Sequence, residues 1–358
     1  MTAQPATPVN EGDLIAVREG SAGVLRLNRP KALNALTLDM VRAIMRALDA
    51  FEADPGVATV LLEGSGERGL CAGGDIRTLY DSARAGGDLG RIFWREEYTL
   101  NARIASLPKP FVSYMDGLVM GGGIGLAGHS SHRVTTERTK IAMPEVGLGF
   151  FPDVGGTWLL SHAPGEVGTY YALTGNTMGG NEAVYIGLAD VCISSKDWPA
   201  LRAAITRLPT GAGTSETMTL LKQFSANGLT PIAAHRQSID RAFAHDTIER
   251  TVAALKDEDT EFARASLAAI LDKSPRGLKL ALKLLRLGRN SKSLKECLAR
   301  EYRAVCEAYA THDFVEGIRA AIIDKDRDPK WSPPRLEDVT PQMIEQYLEP
   351  RGADDLII

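Results

Sequence analysis

The sequence predicts a mixed α/β fold, of the α+β kind, with a helical C-terminal region. In the first half, short apolar runs rich in β-branched residues alternate with glycine-rich loops and helical stretches, as in strand-loop-helix units. Beyond about residue 230 the strand patterns give way to consecutive helical ones. At 358 residues the chain exceeds a usual domain of roughly 100 to 200 residues, so we expect one large and one smaller domain.

Local patterns assign the strands and the first helix. Alternating residues predict a strand at 24–28, and a short apolar run rich in β-branched residues predicts one at 57–62. Further strands are predicted at 111–115, 133–136 and 191–193. A helix is expected to begin after Thr37, whose side chain can cap it, and to end at the Asp-Pro-Gly sequence of 54–56. One face of this helix is apolar, which indicates packing against a sheet.

Four segments are expected along the chain. Residues 1–13 form a flexible N-terminal lead, 14–230 a core that carries the active site, 231–331 a helical region, and 332–358 a C-terminal segment and tail. A leucine-rich basic helix over 278–287 is predicted to pack in the core or at a subunit contact rather than to anchor the chain to a membrane.

Charge and cysteine content exclude several classes of partner. The net charge of -4, with basic residues spread along the chain, argues against nucleic acid, which requires a basic surface. The four cysteines are widely spaced and predict neither a zinc site nor a disulfide framework, which favours a reducing, cytoplasmic setting. Runs of about 18 apolar residues are absent, so no membrane partner is expected. The first residues match neither a secretory signal nor a transit peptide.

A glycine cluster at 121–128 admits three interpretations. Its second part, 123–128, has the G-x-G-x-x-G spacing of a dinucleotide-binding loop. However, the Asp-Gly pair at 116–117 interrupts the strand that should run straight into such a turn. The glycines can also allow a helix to pack closely on a sheet. A second glycine-rich loop at 69–75 follows another predicted strand, and two such loops can aim backbone N–H groups at one point, as in an oxyanion hole.

Several motifs, in order along the chain, resemble those of the enoyl-CoA hydratase/isomerase (crotonase) superfamily. They are the segments 28–36 (NRPKALNAL), 70–76 (LCAGGDI), 115–117 (MDG) leading to 121–123 (GGG), 143–145 (MPE) and 151–156 (FPDVGG). The resemblance covers roughly residues 14–200. It implies a crotonase-type spiral of ββα units.

The resemblance also implies where a thioester would bind. The thioester carbonyl would accept hydrogen bonds from the backbone N–H groups of Gly74 and Gly122, which are flanked by the substrate-binding residues Gly73 and Gly121. Glycine suits these positions because the thioester must approach the backbone closely. The first strand-to-helix loop would contact coenzyme A through Arg29, Lys31 and Ala32.

Carboxylates then select the chemistry within the superfamily. Hydratases place one glutamate two residues after the glycine triplet, where this chain has Gly125, and another after the Met/Gln-Pro, where it has Glu145. An additional acid, Asp153, makes the segment 144–156 similar to the 3-hydroxyisobutyryl-CoA hydrolase branch. The resemblance implies hydrolysis of a short 3-hydroxyacyl-CoA thioester in valine breakdown. Glu145 would act as nucleophile or general base, and Asp153 as the partner that orients the substrate hydroxyl or water and transfers a proton.

Two further segments, 95–98 and 323–331, are similar to that branch, and Glu97 carries over as a substrate-site residue. Asp75 is expected to cap the helix that follows it rather than to react. Three histidines, at 129, 132 and 162, lack the partner pattern of a metal site or a catalytic triad. No metal is therefore expected, and no cofactor beyond the coenzyme A of the substrate.

Other functions stay open at this point. The first alternative is an enoyl-CoA hydratase or isomerase of the same fold. More distant alternatives are a flavin or nicotinamide oxidoreductase that uses the 123–128 loop, and a non-catalytic acyl-CoA-binding protein. A homo-oligomer, trimer or dimer, is compatible with the resemblance.

Overall fold

The computed structural model describes residues 9–226 and 228–358. Its strands are β1 (Val9–Glu11), β2 (Leu14–Glu19), β3 (Ala22–Leu27), β4 (Thr59–Gly64), β5 (Gly69–Cys71), β6 (Phe111–Met115), β7 (Leu118–Met120), β8 (His132–Thr136), β9 (Lys140–Ala142) and β10 (Val191–Ile193). Its α-helices are α1 (Leu38–Ala53), α2 (Ile76–Arg84), α3 (Leu89–Ala105), α4 (Gly122–Ala127), α5 (Gly156–Ser161), α6 (Val167–Thr174), α7 (Gly180–Tyr185), α8 (Trp198–Ile205), α9 (Thr214–Lys222), α10 (Arg236–Ala242), α11 (Ile248–Glu258), α12 (Glu261–Leu271), α13 (Pro275–Arg289), α14 (Leu294–Ala308), α15 (His312–Ile318) and α16 (Pro341–Glu345).

The larger sheet contains seven strands in the order β1-β2-β3-β4-β6-β8-β10. The pairs β1–β2 and β2–β3 are antiparallel, and every later pair is parallel. The strands expected at 111–115 and 191–193 are confirmed at both ends, and those at 24–28, 57–62 and 133–136 to within two residues. Strands β4, β6 and β10 were predictable because they are largely buried and therefore form short, mainly apolar runs.

A smaller sheet, in the order β5-β7-β9, was not predicted. Each of its strands has three residues, and β5 and β7 lie in glycine-rich or turn-like sequence that carries no periodic signal. In chain order a strand of the larger sheet is followed by one of the smaller sheet and then by a helical segment, as in β4-β5-α2 and β6-β7-α4. This repetition is the spiral of ββα units, and the predicted fold class is confirmed.

The first helix, α1, begins and ends where the sequence predicts. The Thr37 side chain accepts a hydrogen bond from the Met40 N–H, and the helix ends at Asp54. Its apolar face is buried and packs against β2 and β3. The core beneath the larger sheet consists of residues from the strands, α8 and α9, namely Ala22, Val24, Leu61, Val112, Val134, Val191, Ile193, Leu201, Ile205 and Leu221.

The chain divides into two compact units built from separated segments. The first unit comprises the chain up to Gly74, Thr99–Ile141 and Met178–Thr230, and the second comprises Asp75–Tyr98, Ala142–Thr177 and Pro231–Ile358. This division differs from the expected consecutive segments 14–230, 231–331 and 332–358. The reason is that α2 packs against α15, and α5 and α6 pack against α13, so parts of the expected core belong with the C-terminal helices.

The expected N-terminal lead comprises residues 1–13. Residues 1–8 lie outside the described residues. Val9–Glu11 are not a free lead, because they form β1 and pair with β2, with Val9 opposite Ala16.

The leucine-rich helix is a core element, as predicted. It corresponds to α13, which begins after Ser274, whose hydroxyl accepts from the Gly277 N–H, and its leucines at 278, 280, 282, 284 and 285 are buried. Across the described ranges, none of the helices combines the length and apolarity needed to cross a bilayer.

Candidate active site

Two glycine loops of the first unit leave the same end of the smaller sheet. Strands β5 and β7 are parallel neighbours, with Cys71 opposite Val119. The chain then enters Gly73 and Gly121, which have φ values of 106° and 46°. Both values lie in the left-handed region that favours glycine. A Cβ built on Gly73 would lie 3.8 Å from the backbone nitrogen of Gly122, so the two loops run side by side.

The N–H groups of Gly74 and Gly122 are available donors in these loops. Neither donates to a backbone carbonyl among residues 9–226 and 228–358. Gly122 is the first residue of α4, and the first N–H groups of a helix have no intrahelical acceptor. By contrast, the Leu36 N–H donates to the Gly73 carbonyl over 2.8 Å, which fixes the first loop. The arrangement can hold a developing oxyanion.

The glycine spacing does not form a dinucleotide-binding turn. Strand β6 ends at Met115 and the chain passes into β7, in the other sheet, before the glycines begin. The following helix, α4, has six residues. A dinucleotide-binding loop joins one strand directly to its helix, so the oxidoreductase alternative loses its structural basis.

The loop expected to contact coenzyme A is partly used for internal contacts. The Arg29 guanidinium lies 3.2 Å from the Asp13 carboxylate and donates to the Ala35 carbonyl over 2.6 Å. Lys31 and Ala32, in a short 3-10 turn, are exposed. Of the two cations predicted for phosphate binding, Lys31 is therefore the better placed.

The second unit contains the three carboxylates that the sequence predicts for the site. Glu97 lies in α3, Glu145 begins a 3-10 turn (Glu145–Leu148), and Asp153 precedes α5. Their exposed fractions are only 2%, 7% and 5%. Asp and Glu side chains are rarely buried to this extent without a cation, which marks the cluster as a candidate functional site.

Hydrogen bonds distinguish the three acids. The Tyr98 hydroxyl donates to Oδ2 of Asp153 over 2.6 Å. Within the part of the chain that the structure describes, Oε1 of Glu97 and Oε2 of Glu145 have no hydrogen-bond partner. Buried polar atoms are normally satisfied, and exceptions require an explanation such as a bound substrate or water. These two oxygens are therefore the atoms best placed to contact a ligand.

Burial and nearby negative charges raise the pKa of all three carboxyls. Burial is the largest cause for Glu97 and Glu145, and the charge of Asp153 adds to it in both cases. Burial also raises the pKa of Asp153 to about 7, although the hydrogen bond from Tyr98 opposes the shift. Because a donated hydrogen bond favours the charged form, the Tyr98 hydroxyl limits the rise in the pKa of Asp153, so that this group can both hold and release a proton near neutral pH.

The raised pKa values predict a stability that falls with increasing pH. A carboxyl whose pKa is higher in the folded than in the unfolded protein stabilises the fold while it is protonated. This contribution is fully present below the pKa of the unfolded state, about 4. It is lost as pH rises through the pKa of the folded state, about 7 for Asp153. Glu145→Gln removes one such group. When the pH is raised from about 5 to about 8, the free energy of unfolding should fall in both proteins. The fall should be smaller in the variant by roughly 1–3 kcal/mol.

Urea denaturation at both pH values measures this difference. Glu96→Gln, which changes a half-buried acid on α3, is the control and should behave like the wild type. Equal pH dependence in Glu145→Gln and the wild type would contradict the burial argument.

Two residues of the site were missed by sequence reasoning. Tyr98 was noted only as part of a motif, and nothing singled out Glu301, a fully buried acid in α14. The Glu301 carboxylate accepts from the N–H groups of Gly155, over 2.6 Å, and Thr157, over 3.0 Å, and from the Thr157 hydroxyl. Its sequence separation from these partners is 144 to 146 residues, so no local pattern could reveal it.

Other polar residues have structural roles. Asp75 is the N-cap residue of α2, as predicted, but its side chain makes no capping hydrogen bond. His132 is fully buried and its Nε2 lies 2.9 Å from the Thr214 carbonyl oxygen, as expected for a satisfied core histidine. All four cysteines are buried, and none of them forms a disulfide. In the described ranges, no three His, Cys, Asp or Glu side chains are grouped to hold a metal ion.

Sequence comparisons place the chain among acyl-CoA enzymes. The family model described as enoyl-CoA hydratase/isomerase matches residues 22–348. The rat protein named 3-hydroxyisobutyryl-CoA hydrolase, mitochondrial, is 38% identical over 349 residues, which cover 96% of this chain and 90% of the relative. The Arabidopsis thaliana 3-hydroxyisobutyryl-CoA hydrolase 1 is 39% identical over 356 residues, or 97% of this chain and 94% of the relative.

Solved structures agree on the fold but carry other names. A carnitinyl-CoA dehydratase from Mycobacterium thermoresistibile is 42% identical with a TM-score of 0.89, covering 95% of this chain and 97% of that one. An enoyl-CoA hydratase from Rhodobacter sphaeroides 2.4.1 is 41% identical with a TM-score of 0.89, covering 97% and 100%. The chain belongs to the enoyl-CoA hydratase/isomerase (crotonase) family.

Proposed function

We propose that this chain hydrolyses a short 3-hydroxyacyl-CoA, 3-hydroxyisobutyryl-CoA, to 3-hydroxyisobutyrate and coenzyme A. The observation that carries the proposal is the buried cluster of Glu97, Glu145 and Asp153 with two unpartnered carboxylate oxygens. The names of the rat and Arabidopsis relatives support it.

The glycine loops supply oxyanion stabilisation in this proposal. The N–H groups of Gly74 and Gly122 donate to the thioester oxygen and donate more strongly as it gains negative charge. Gly73 and Gly121 keep the backbone accessible, because their positive φ values disfavour any larger residue. Lys31, Ala32 and Arg29 belong to the loop that contacts coenzyme A.

Glu145 delivers the attack on the thioester carbon. Either its carboxylate oxygen adds directly, and water then hydrolyses the mixed anhydride that forms, or it removes a proton from a water molecule that adds. The tetrahedral oxyanion then collapses with cleavage of the C–S bond, and the departing sulfur takes a proton. Asp153, oriented by the Tyr98 hydroxyl, donates this proton from its protonated form and regains one that the attacking water releases, and Glu97 contacts the acyl group. None of these steps uses a metal or a redox cofactor.

A hydratase or dehydratase is the second candidate, favoured by the names of the two similar solved structures. Addition of water across a double bond by the family's usual route uses two glutamates. Here the first of these positions is Gly125, a buried residue within α4. The missing carboxylate is the physical reason for ranking hydrolysis first.

Two assays separate these candidates. The purified protein should release free thiol from 3-hydroxyisobutyryl-CoA at a kcat in the usual range of enzymes, about 1 per second or faster, and should leave the enoyl absorbance of crotonyl-CoA nearly unchanged. Consumption of crotonyl-CoA without thiol release from the hydroxyacyl thioester would contradict the proposal.

The proposal extends to the pathway, the cellular compartment and the partners of the enzyme. Hydrolysis of 3-hydroxyisobutyryl-CoA fits valine breakdown. The four cysteines are buried and form no disulfide, which is consistent with a reducing compartment. We propose the cytoplasm, although the rat relative is named mitochondrial. Neither a nucleic acid nor a membrane is proposed as partner, and a dimer or trimer stays a prediction.

A further inference from the structure

The backbone directly after Asp153 adopts a conformation that its own sequence disfavours. Val154 and Gly155 have φ values of 53° and 76°, so two consecutive residues lie in the left-handed region. Glycine adopts this region freely, but a β-branched residue rarely does. Such a conformation persists only where surrounding groups hold it, and it is concentrated at functional sites.

Glu301 supplies the groups that hold this turn. Its carboxylate accepts hydrogen bonds from the N–H groups of Gly155 and Thr157 and from the Thr157 hydroxyl. Gly155 is the N-cap residue of α5 and has no side chain to cap it. A carboxylate from α14 therefore caps α5, where negative charge is favourable.

Glu301 also affects the charge of Asp153. The side chains that act on the pKa of Asp153 are Tyr98 from α3 and Glu301 from α14. Two further acids face Asp153, namely Glu97 from α3 and Glu145 from its 3-10 turn, and the charge of Asp153 raises the pKa of both. Burial raises the pKa of Asp153 most, Tyr98 lowers it, and the charge of Glu301 raises it. The pKa of Glu301 itself is raised to about 7 by burial, against its three hydrogen bonds and the charge of Arg300.

We propose that Glu301 is a positioning residue that holds the turn at Val154 and Gly155 and thereby fixes the direction of the Asp153 carboxyl. Its effect on turnover rests on the proposed function. Its effect on Asp153 does not, because the contacts that transmit it are present without substrate.

Glu301→Gln tests the proposal, because an amide keeps the shape but offers only one acceptor oxygen to three donors. We expect kcat to fall roughly 10- to 100-fold, with KM within about threefold of the wild type. The midpoint of the pH profile of kcat should move down by about half a unit or more, since a negative charge beside Asp153 is lost. The titration of Asp153, followed through its carboxyl carbon resonance, should have its midpoint moved down by the same amount.

Glu166→Gln is the matched control. Glu166 is also a buried acid at the start of a helix, and it accepts from the Thr169 hydroxyl. We expect this variant to lower the melting temperature while kcat per folded molecule, the pH midpoint and the Asp153 titration stay as in the wild type. A Glu301→Gln variant that behaves in the same way would overturn the proposal.

The remaining outcomes are also decisive. If the wild type releases no thiol, the proposed function fails, and the titration of Asp153 in the wild type and in Glu301→Gln still decides the role of Glu301. If Glu301→Gln does not fold, Thr157→Val, which removes one donor to the Glu301 carboxylate, replaces it. A Thr157→Val variant with unchanged kcat and unchanged Asp153 titration would overturn the proposal, and a several-fold loss of kcat would support it.

Discussion

Glu145→Gln is expected to lower kcat roughly 10²- to 10⁴-fold, the usual contribution of a positioned acid, base or nucleophile. An amide can neither attack the thioester carbon nor remove a proton from water. The affinity for coenzyme A should stay within about threefold of the wild type, because the substitution keeps the shape of the side chain. Thiol release measures the first effect, and calorimetric titration with coenzyme A measures the second.

The same substitution should also stabilise the protein at alkaline pH. Glu145 is buried, and one of its oxygens has no partner among the described residues, so its ionised form costs free energy that an amide avoids. Loss of activity combined with gain of stability is typical of a functional residue. Glu96→Gln is again the control and should alter neither quantity. A Glu145→Gln variant with full activity would remove the residue from the mechanism.

Gly122→Pro is expected to lower kcat by about 10²- to 10³-fold, because it removes one N–H donor to the oxyanion. Gly122 is the first residue of α4, the helical position at which proline is best tolerated. The proline therefore removes the N–H without removing an intrahelical hydrogen bond. Thiol release under saturating substrate measures the loss.

Gly122→Ala is the matched control, since it adds a Cβ but keeps the N–H. The comparison of the two variants isolates the donor from the added bulk. If Gly122→Ala and Gly122→Pro lose activity equally, the added atoms are responsible and the N–H of Gly122 has no role in the oxyanion hole. If only Gly122→Pro loses activity, the role stands.

The sequence predicted those parts of the fold that local patterns determine. The start of α1 follows from the Thr37 cap, and strands β6 and β10 follow from buried apolar runs. The smaller sheet could not be predicted, because a three-residue strand spans too few residues for a period to appear. The division into two units also escaped prediction, since it depends on packing between segments far apart in the chain.

The candidate site was predictable to a similar extent. Motifs identified the glycines and the acids at 97, 145 and 153, and the structure shows that these acids are buried in one unit and repel one another. Their roles stay predictions. Tyr98 and Glu301 carry no motif of their own, and only the fold shows that they contact Asp153 and the turn that follows it.

The relatives of this chain carry two kinds of name, hydrolase and hydratase or dehydratase, and overall similarity does not separate them. The distinction depends on few atoms. A carboxylate two residues after the glycine triplet would favour water addition to a double bond. Because this chain has Gly125 there, we propose that the acids at 97, 145 and 153 act on the thioester instead.

The most direct test is the product analysis of a single substrate. The wild-type protein is incubated with 3-hydroxyisobutyryl-CoA in water labelled with heavy oxygen, and the products are identified by mass spectrometry. Hydrolysis predicts free coenzyme A and an equal amount of 3-hydroxyisobutyrate carrying one labelled oxygen in its carboxylate. An intact thioester that has lost water to become the α,β-unsaturated acyl-CoA, with no free coenzyme A, would contradict the account.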